Sequence, residues 1–332
     1  MSVWLKFILC SIALIYSGYK LSYLGDVISE KTRITKTLMG FAILAVATSM
    51  PEFVTSSASI VVVKAPDLAA GDLFGTLVVN LGIIALLDLI EGEGPIMLKA
   101  HLNHILYAGW TVIILAFISS SLLLRVITGK TIDFWNVGME SFVIIVLFLI
   151  GLKIIFSLEK SNQKGKFKTS QAYKKVKLKS AILRFVFFIG MIFILGVWLS
   201  KIGKEIVIFM GWHDALVGTL FLAVVTSFPE FIVSVSALKF NVDMAVGNIL
   251  GSNFFDLMIV PLCDFLLREN AFLSAVKIEN LFTIMLAIIL STIVIVGLIC
   301  RSKRSFLKLG WDAIAMVVVL FGGGIFLTIL LK

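Results

Sequence analysis

The sequence predicts an all-α integral membrane protein: ten transmembrane helices arranged as two inverted five-helix repeats, with helices 2 and 7 broken. Three observations carry that prediction. Of 332 residues, 60% are hydrophobic and only 15% charged, with a mean hydropathy of +1.08, whereas soluble domains average roughly 45–50% apolar and about 25% charged. Ten apolar stretches are long enough to cross a bilayer, and one half of the chain repeats the other. This composition excludes an ordinary cytosolic enzyme, a disordered chain and a nucleic-acid-binding domain.

A helix needs about 20 mostly apolar residues to cross a hydrocarbon core of roughly 30 Å. The candidate spans are 3–23, 37–63, 69–90, 103–126, 137–157, 181–200, 214–238, 243–267, 278–299 and 310–331. The first is too long for a cleaved signal, and its end, Ser17-Gly18-Tyr19-Lys20, lacks a small-x-small site. Lys and Arg set the orientation. With the N-terminus outside, 20 of the 29 basic residues fall on the inner loops and flanks, eight of them lysines between Lys160 and Lys179. Both termini are therefore expected outside, in a prokaryotic inner membrane. A basic cytoplasmic loop over 158–180 then separates a first half, 1–157, from a second, 181–332. The net charge of +9 is mainly this topology signal. The loop also suits anionic lipid headgroups. Cys10, Cys263 and Cys300 form neither a disulfide framework nor a metal-ligand spacing.

Residues 38–60, LMGFAILAVATSMPEFVTSSASI, match 216–238, LVGTLFLAVVTSFPEFIVSVSAL, at an offset of 178. Thr48-Ser49 meets Thr226-Ser227, and Pro51-Glu52-Phe53 meets Pro229-Glu230-Phe231. A second block matches at an offset of 176, pairing Gly71, Asp72, Gly75, Thr76 and Asn80 with Gly247, Asn248, Gly251, Ser252 and Asp256. The two repeats cover about 38–90 and 216–267. Five spans separate equivalent positions, so the copies cross the membrane in opposite directions. Inverted repeats with interrupted helices at mid-membrane are the recurring plan of secondary transporters.

Glu52 and Glu230 fall in the middle of spans 2 and 7, where a bare carboxylate costs about 3 kcal/mol or more. Pro51 and Pro229 directly precede them. Proline lacks an N–H and clashes with the carbonyl four residues back, so it should free the carbonyls of Ala47 and Val225. Thr48, Ser49, Thr226 and Ser227 add hydroxyls. Thr76 and Asn80 share one helix face by their i, i+4 spacing, as do Ser252 and Asp256. The GxxxG pairs Gly71/Gly75 and Gly247/Gly251 permit close helix approach. The result is an oxygen-only site without Cys or mid-membrane His. Hard cations such as Ca²⁺ want such a site, whereas zinc, copper and iron want nitrogen or sulfur. Two carboxylates balance one Ca²⁺, and Na⁺ can occupy the same oxygens, so competition for shared ligands is a route to exchange.

At these residues the chain resembles the cation/calcium exchanger superfamily, specifically the prokaryotic sodium/calcium exchangers, which carry G-[TS]-[ST]-x-P-E and G-N-x-x-G-S-N-x-x-[ND] in two repeats. The resemblance implies a secondary antiporter that moves Ca²⁺ against Na⁺ by alternating access, with no cofactor. Glu52 and Glu230 would be the main Ca²⁺ ligands, completed by the carbonyls of Thr48 and Thr226 and flanked by Asn80 and Asp256. Sodium sites would use Ala45, Thr48, Ser49, Thr76 and Glu230 on one side. On the other they would use Ala223, Thr226, Ser227, Ser252 and Glu52. Spans 1 and 6 would slide over the rest. The chain departs from the pattern at Ala47 and Val225 for glycine, and at Asp72 and Leu77 for asparagine. Phe74 and Leu250 stand where cation/proton relatives typically carry glutamate, while the acid at Asp256 is shared with potassium-dependent relatives. Coupling to K⁺ or H⁺, and a cation channel from another functional class, stay open as alternatives. The partners expected are Ca²⁺, Na⁺ and the lipid bilayer, with no nucleic acid; a monomer suffices for such a site. Four further groups carry expectations without chemistry: His101 and His104 as an interfacial pair, Asp88 and Asp264 as helix-end hydrogen bonders, Glu140 as a solvated residue, and the six tryptophans as interface anchors.

Overall fold

The computed structural model describes residues 2–32, 47–92, 94–129, 133–134, 136–162, 176–239, 241–302, 305–306 and 309–331. These residues are helical apart from short connections and two small hairpins. The long helices are α1 (Val3–Thr32), α2 (Met50–Val61), α3 (Pro66–Glu91), α4 (His104–Thr128), α5 (Met139–Asn162) and α6 (Leu178–Met210). They continue with α7 (Asp214–Thr226), α8 (Phe228–Leu238), α9 (Val242–Asp256), α10 (Ile259–Leu267), α11 (Asn280–Cys300) and α12 (Trp311–Leu331). Among the described residues, eight helical stretches are long and apolar enough to span a membrane, α9 and α10 together (Val242–Leu267) counting as one, and the bent pair α7–α8 makes a ninth. The protein is thus a multi-pass integral membrane protein. The first part of span 2, through residue 46, and most of the basic loop lie outside the described residues.

Two helices exceed their sequence windows. α1 has 30 residues and α6 has 33. At 1.5 Å per residue they run about 45 and 50 Å, well beyond a core of about 30 Å. Neither contains proline, so nothing stops the helix where the apolar run ends. The two lie antiparallel. Lys6 pairs with Glu205 at 2.7 Å, Cys10 donates to the Leu195 carbonyl at 3.4 Å, and Leu24 and Val27 pack with Ala181.

Polar contacts divide the molecule into two ends. At one end lie Lys6–Glu205, Lys204–Asp214 at 2.8 Å, Lys64–Glu269 at 3.4 Å and the Arg125–Glu140 pair. At the other lie Lys99–Glu91 at 2.5 Å, His104–Asp243 at 2.7 Å and the Arg301 bond to the Ala100 carbonyl at 2.7 Å. α2 finishes at the first end and α8 at the second, although both start at mid-molecule; the repeats run in opposite directions.

Matched aspartates hold matched corners. Asp88 accepts the backbone N–H groups of Ile96 and Gly310, at 2.5 and 2.8 Å. Asp264 accepts those of Phe272 and Gly138, at 2.6 and 2.9 Å. Each carboxylate ties the end of one span to the hairpin that opens a span-length helix: Asp133–Phe134 with Val137–Gly138 before α5, and Ser305–Phe306 with Leu309–Gly310 before α12. Asp67 and Asp243 repeat the idea. Asp67 accepts from the Lys277 backbone and the Asn280 amide, whereas Asp243 accepts from the His101 backbone and lies 2.7 Å from His104 Nε2. His101 and His104 are therefore helix-end hydrogen bonders, and His104 is buried against Asp243 at that end of the molecule. Glu140 is likewise not solvated: it is 8% exposed and paired with Arg125, because the hairpin folds span 5 back over the end of α4.

Asp88→Ala and Asp264→Ala each strip two buried N–H groups of their acceptor, at about 1–3 kcal/mol per group. Both variants are expected to melt earlier than wild type in detergent, by similar amounts. An unchanged melting temperature in either would show that these corners are not held by the carboxylates.

Candidate cation site

Span 7 breaks between Thr226 and Phe228, where α7 and α8 meet at 41°. The cause is local. Pro229 occupies the first turn of α8, and Ser227 before it has φ −77° and ψ −5°. In the first repeat Pro51 opens α2 in the same way, and Ser49 has φ −79° and ψ 4°. Phe53 N–H bonds the Ser49 carbonyl at 3.0 Å and Phe231 N–H the Ser227 carbonyl at 3.2 Å. The TSxPE motif thus makes one turn twice. Five residues before the second turn, Gly218–Leu222 widens into a π-helical segment, a distortion frequent at functional sites.

Each turn sets its glutamate in the first turn of a half-helix, where the positive end of the helix dipole favours a carboxylate. Glu52 and Glu230 are both 0% exposed. They converge: Glu52 lies within electrostatic reach of Glu230, Asp256 and Asp72, and Glu230 within reach of Asp256. Thr48 borders Glu230 and Ser49 borders Asp256. Even so, among the described residues no donor is aligned for a hydrogen bond to any of the six oxygens of Glu52, Glu230 and Asp256. The hydroxyls of Ser49 and Ser227 and the carbonyl oxygen of Asn80 are buried in the same condition.

α3 and α9 close the other wall. A Cβ on Gly71 would stand 2.5 Å from the Ala215 carbonyl, and one on Gly75 would stand 2.7 Å from Thr219 Cα, so only glycine lets α3 lie this close to α7. Gly247 instead packs on the His104 ring. The hydroxyls then pair across the repeats, Thr48 with Ser252 at 3.2 Å and Thr76 with Thr226 at 3.4 Å. By the repeat offsets these are the same contact twice.

Of the residues singled out from sequence, Thr48, Ser49, Glu52, Thr76, Asn80, Ala223, Thr226, Ser227, Glu230, Ser252 and Asp256 are all buried around these two turns. Ala45 lies outside the described residues. Two supporting pairs were missed. Ser56 donates to Asp72 at 2.9 Å, and in the second repeat Asn248 donates to Ser234 at 3.0 Å. The matching of Ser56 with Ser234, four residues after each glutamate, was the available signal. Asn253 bridges Asn80, at 2.9 Å, and the Leu77 carbonyl, at 3.1 Å. Its counterpart is Leu77 itself, so symmetry gave no hint of it.

Among the described residues, no three His, Cys, Asp or Glu side chains converge tightly enough to ligate one ion alone. Hydroxyls and carbonyls must complete any coordination shell. A mixed set of carboxylate, hydroxyl, amide and backbone oxygens suits a hard cation. A cation bound there would also satisfy carboxylates for which no donor among the described residues is well aligned.

The comparisons agree with this chemistry. The family model described as sodium/calcium exchanger protein matches residues 2–164 and 180–331. An uncharacterized membrane protein of Methanocaldococcus jannaschii is 27% identical over 293 residues, spanning 85% of this chain and 89% of its own. The inner membrane protein YrbG of Escherichia coli is 22% identical over 266 residues, 74% of each chain. Among solved structures, the H⁺/Ca²⁺ exchanger CAX superposes with a TM-score of 0.73 at 14% identity, covering 99% of this chain and 86% of that one. The sodium–calcium exchanger NCX_Mj superposes at 0.57 with 20% identity, covering 96% and 98%. These likenesses establish the fold of an ion exchanger rather than an enzyme. Matched by the family model over nearly its whole length, the chain belongs to the sodium/calcium exchanger protein family and is a cation/Ca²⁺ exchanger.

Proposed function

We propose that this protein exchanges Ca²⁺ against Na⁺ by alternating access, using one site shared by the two repeats. One observation carries the reading. Two fully buried glutamates from oppositely running half-helices come within electrostatic reach of each other with no aligned hydrogen-bond donor among the described residues. Glu52 and Glu230 take Ca²⁺ between them, with the carbonyls of Thr48 and Thr226 and with Asn80 and Asp256 at the flanks. Na⁺ uses Ala45, Thr48, Ser49, Thr76 and Glu230 on one side and Ala223, Thr226, Ser227, Ser252 and Glu52 on the other. Because both ions need the same two carboxylates, neither is released until the other can replace it. Ten spans divide into halves 1–157 and 181–332, joined by a cytoplasmic loop over 158–180, with both termini outside a prokaryotic inner membrane. The grouping of Lys6, Lys64, Arg125 and Lys204 at one end, opposite Lys99 and Arg301, supports the assignment of these residues to two sides, and the lysines of the 158–180 loop favour the second as cytoplasmic. Sodium is favoured over protons as the coupling ion by the sodium/calcium exchanger family model that matches nearly the whole chain.

In proteoliposomes, an imposed Na⁺ gradient is expected to drive Ca²⁺ uphill and to reverse its flow when inverted; K⁺ and H⁺ gradients alone should not. Uphill movement on a H⁺ gradient only would overturn sodium coupling, and passive flux insensitive to all three would indicate a channel. Glu52→Gln and Glu230→Gln should each insert normally and reduce Ca²⁺ flux to background; full activity in either removes that residue from the site. Pro51→Ala restores a backbone hydrogen bond worth about 1 kcal/mol and should weaken Ca²⁺ affinity about fivefold. Unchanged affinity would mean that the helix break is not what positions the neighbouring Thr48 carbonyl for the ion.

A further inference from the structure

The helices that carry no candidate ligand, α1 and α6, obey the repeat as well. Gly18, Leu21, Ser22 and Gly25 match Gly196, Leu199, Ser200 and Gly203 at the same offset of 178. Their crossings over the site helices should therefore be equivalent, and they are not. Gly196 lies on Val54 and Thr55 of α2; a Cβ there would be 2.7 Å from Val54 Cγ1 and 3.3 Å from Thr55 Oγ1. The equivalent place for Gly18 is Ile232–Val233 of α8. Instead Gly18 packs on the Pro229 ring, with Pro51 Cγ 3.6 Å from where its Cβ would be.

Gly18 is thus three to four residues nearer the break than symmetry requires, about 5 Å at 1.5 Å per residue. The sense of the offset is informative. α2 and α8 run in opposite directions, so a late crossing on α2 and an early crossing on α8 are the same displacement. The antiparallel pair α1–α6 has shifted as one body toward the end where α2 finishes.

Burial and hydrogen bonding follow the shift. Past the site on α2, Thr55 and Ser59 are 0% exposed, whereas their counterparts on α8, Val233 and Ala237, are partly exposed. Ser200 Oγ lies 2.8 Å from the Thr55 carbonyl and 2.9 Å from that of Gly196. Its counterpart Ser22 bonds only the Gly18 carbonyl, at 3.0 Å. The carbonyl of Val233, equivalent to that of Thr55, takes no bond from it.

We propose that Ser200 and Ser22 are alternating latches of the exchange cycle. Ser200 donates to the Thr55 carbonyl and holds α6 down on α2, closing that end of the site. When α1–α6 moves back by about one helical turn, this bond breaks and Ser22 donates to the Val233 carbonyl, closing the α8 end. The structure holds the state in which the α8 end, cytoplasmic in the orientation proposed above, is the open one. Both serines act on the helices that bear Glu52 and Glu230 without touching an ion; they are positioning residues. The inference rests on the alternating-access reading but not on which cations are carried.

The test reads conformation rather than transport, so the two fail separately. In full-length protein with Cys300→Ser to remove the exposed thiol, Ser59→Cys reports the α2 end and Ala237→Cys the α8 end through their rates of maleimide labelling. Ser200→Ala should raise labelling at Ser59→Cys and lower it at Ala237→Cys. The change expected is about fivefold in the ratio, the shift one hydrogen bond of ordinary strength gives. Ser22→Ala should move the ratio the other way, and Ser22→Ala/Ser200→Ala should bring it back toward wild type. Shifts in the same direction, or a ratio unmoved by either single variant, would overturn the latches. Opposite shifts in a protein that fails to couple Na⁺ to Ca²⁺ would leave the latches standing and overturn the sodium reading.

Discussion

Uncompensated negative charge at the centre of an apolar molecule is the constraint on which the rest depends. Three buried carboxylates, those of Glu52, Glu230 and Asp256, lie within electrostatic reach of one another with no aligned donor among the described residues, and Asp72 stands within reach of Glu52. One carboxylate at mid-membrane already costs several kcal/mol, and like charges raise that cost for every neighbour. Much of the surrounding architecture mitigates the problem. The two helix breaks turn N-terminal dipoles toward the glutamates, the hydroxyl pairs Thr48–Ser252 and Thr76–Thr226 place neutral oxygens beside them, and glycines at positions 71 and 75 bring the walls into contact. None of these supplies positive charge. A site built this way needs a cation or a proton on its carboxylates, and in the function proposed above that need links departure of one ion to arrival of another.

The two-fold relation pairs the same positions in both repeats but not the same chemistry. Ser56 donates to Asp72 in one repeat while Asn248 donates to Ser234 in the other, the same contact with its polarity reversed. Asp67 is met by Asn280 and Asp243 by His104 at matched places. Asp72 also accepts from Thr226 at 3.3 Å, which ties an extra acid of the first repeat to a site threonine of the second. A perfectly symmetric protein would present the same surroundings to both sides of the membrane. These substitutions give the two sides of the site different hydrogen-bonding surroundings.

The site was legible in the sequence because its chemistry is written twice. TSxPE inside an apolar run is conspicuous once and persuasive at a fixed offset, and the i, i+4 spacing of Thr76 with Asn80 and of Ser252 with Asp256 assigned them to shared faces before any coordinates. What escaped was decided by tertiary contact. Glu140 reads as solvated from its place at a span end, yet a short hairpin lays it on Arg125. Asn253 has a leucine as its counterpart, so no repeat pointed to it. The true lengths of α1 and α6 were hidden because hydropathy marks where apolar residues end, whereas a helix ends at a breaker or a cap.

Those lengths have a mechanical consequence. A helix just long enough to cross the bilayer cannot move along its axis without dragging polar termini into hydrocarbon, where unsatisfied backbone groups cost several kcal/mol each. α1 and α6 overshoot the core by roughly 15–20 Å in total length, so an excursion of one turn of about 5 Å leaves both ends in polar surroundings. They also meet the site helices at Gly18 and Gly196, where no side chain has to be lifted over a neighbour. The site helices, by contrast, are broken at mid-membrane, start at the acids and are cross-bonded to one another, and so are poorly suited to travel. Motion falls to α1 and α6 because they have the most length to spare and contribute no ligand to the site they cross.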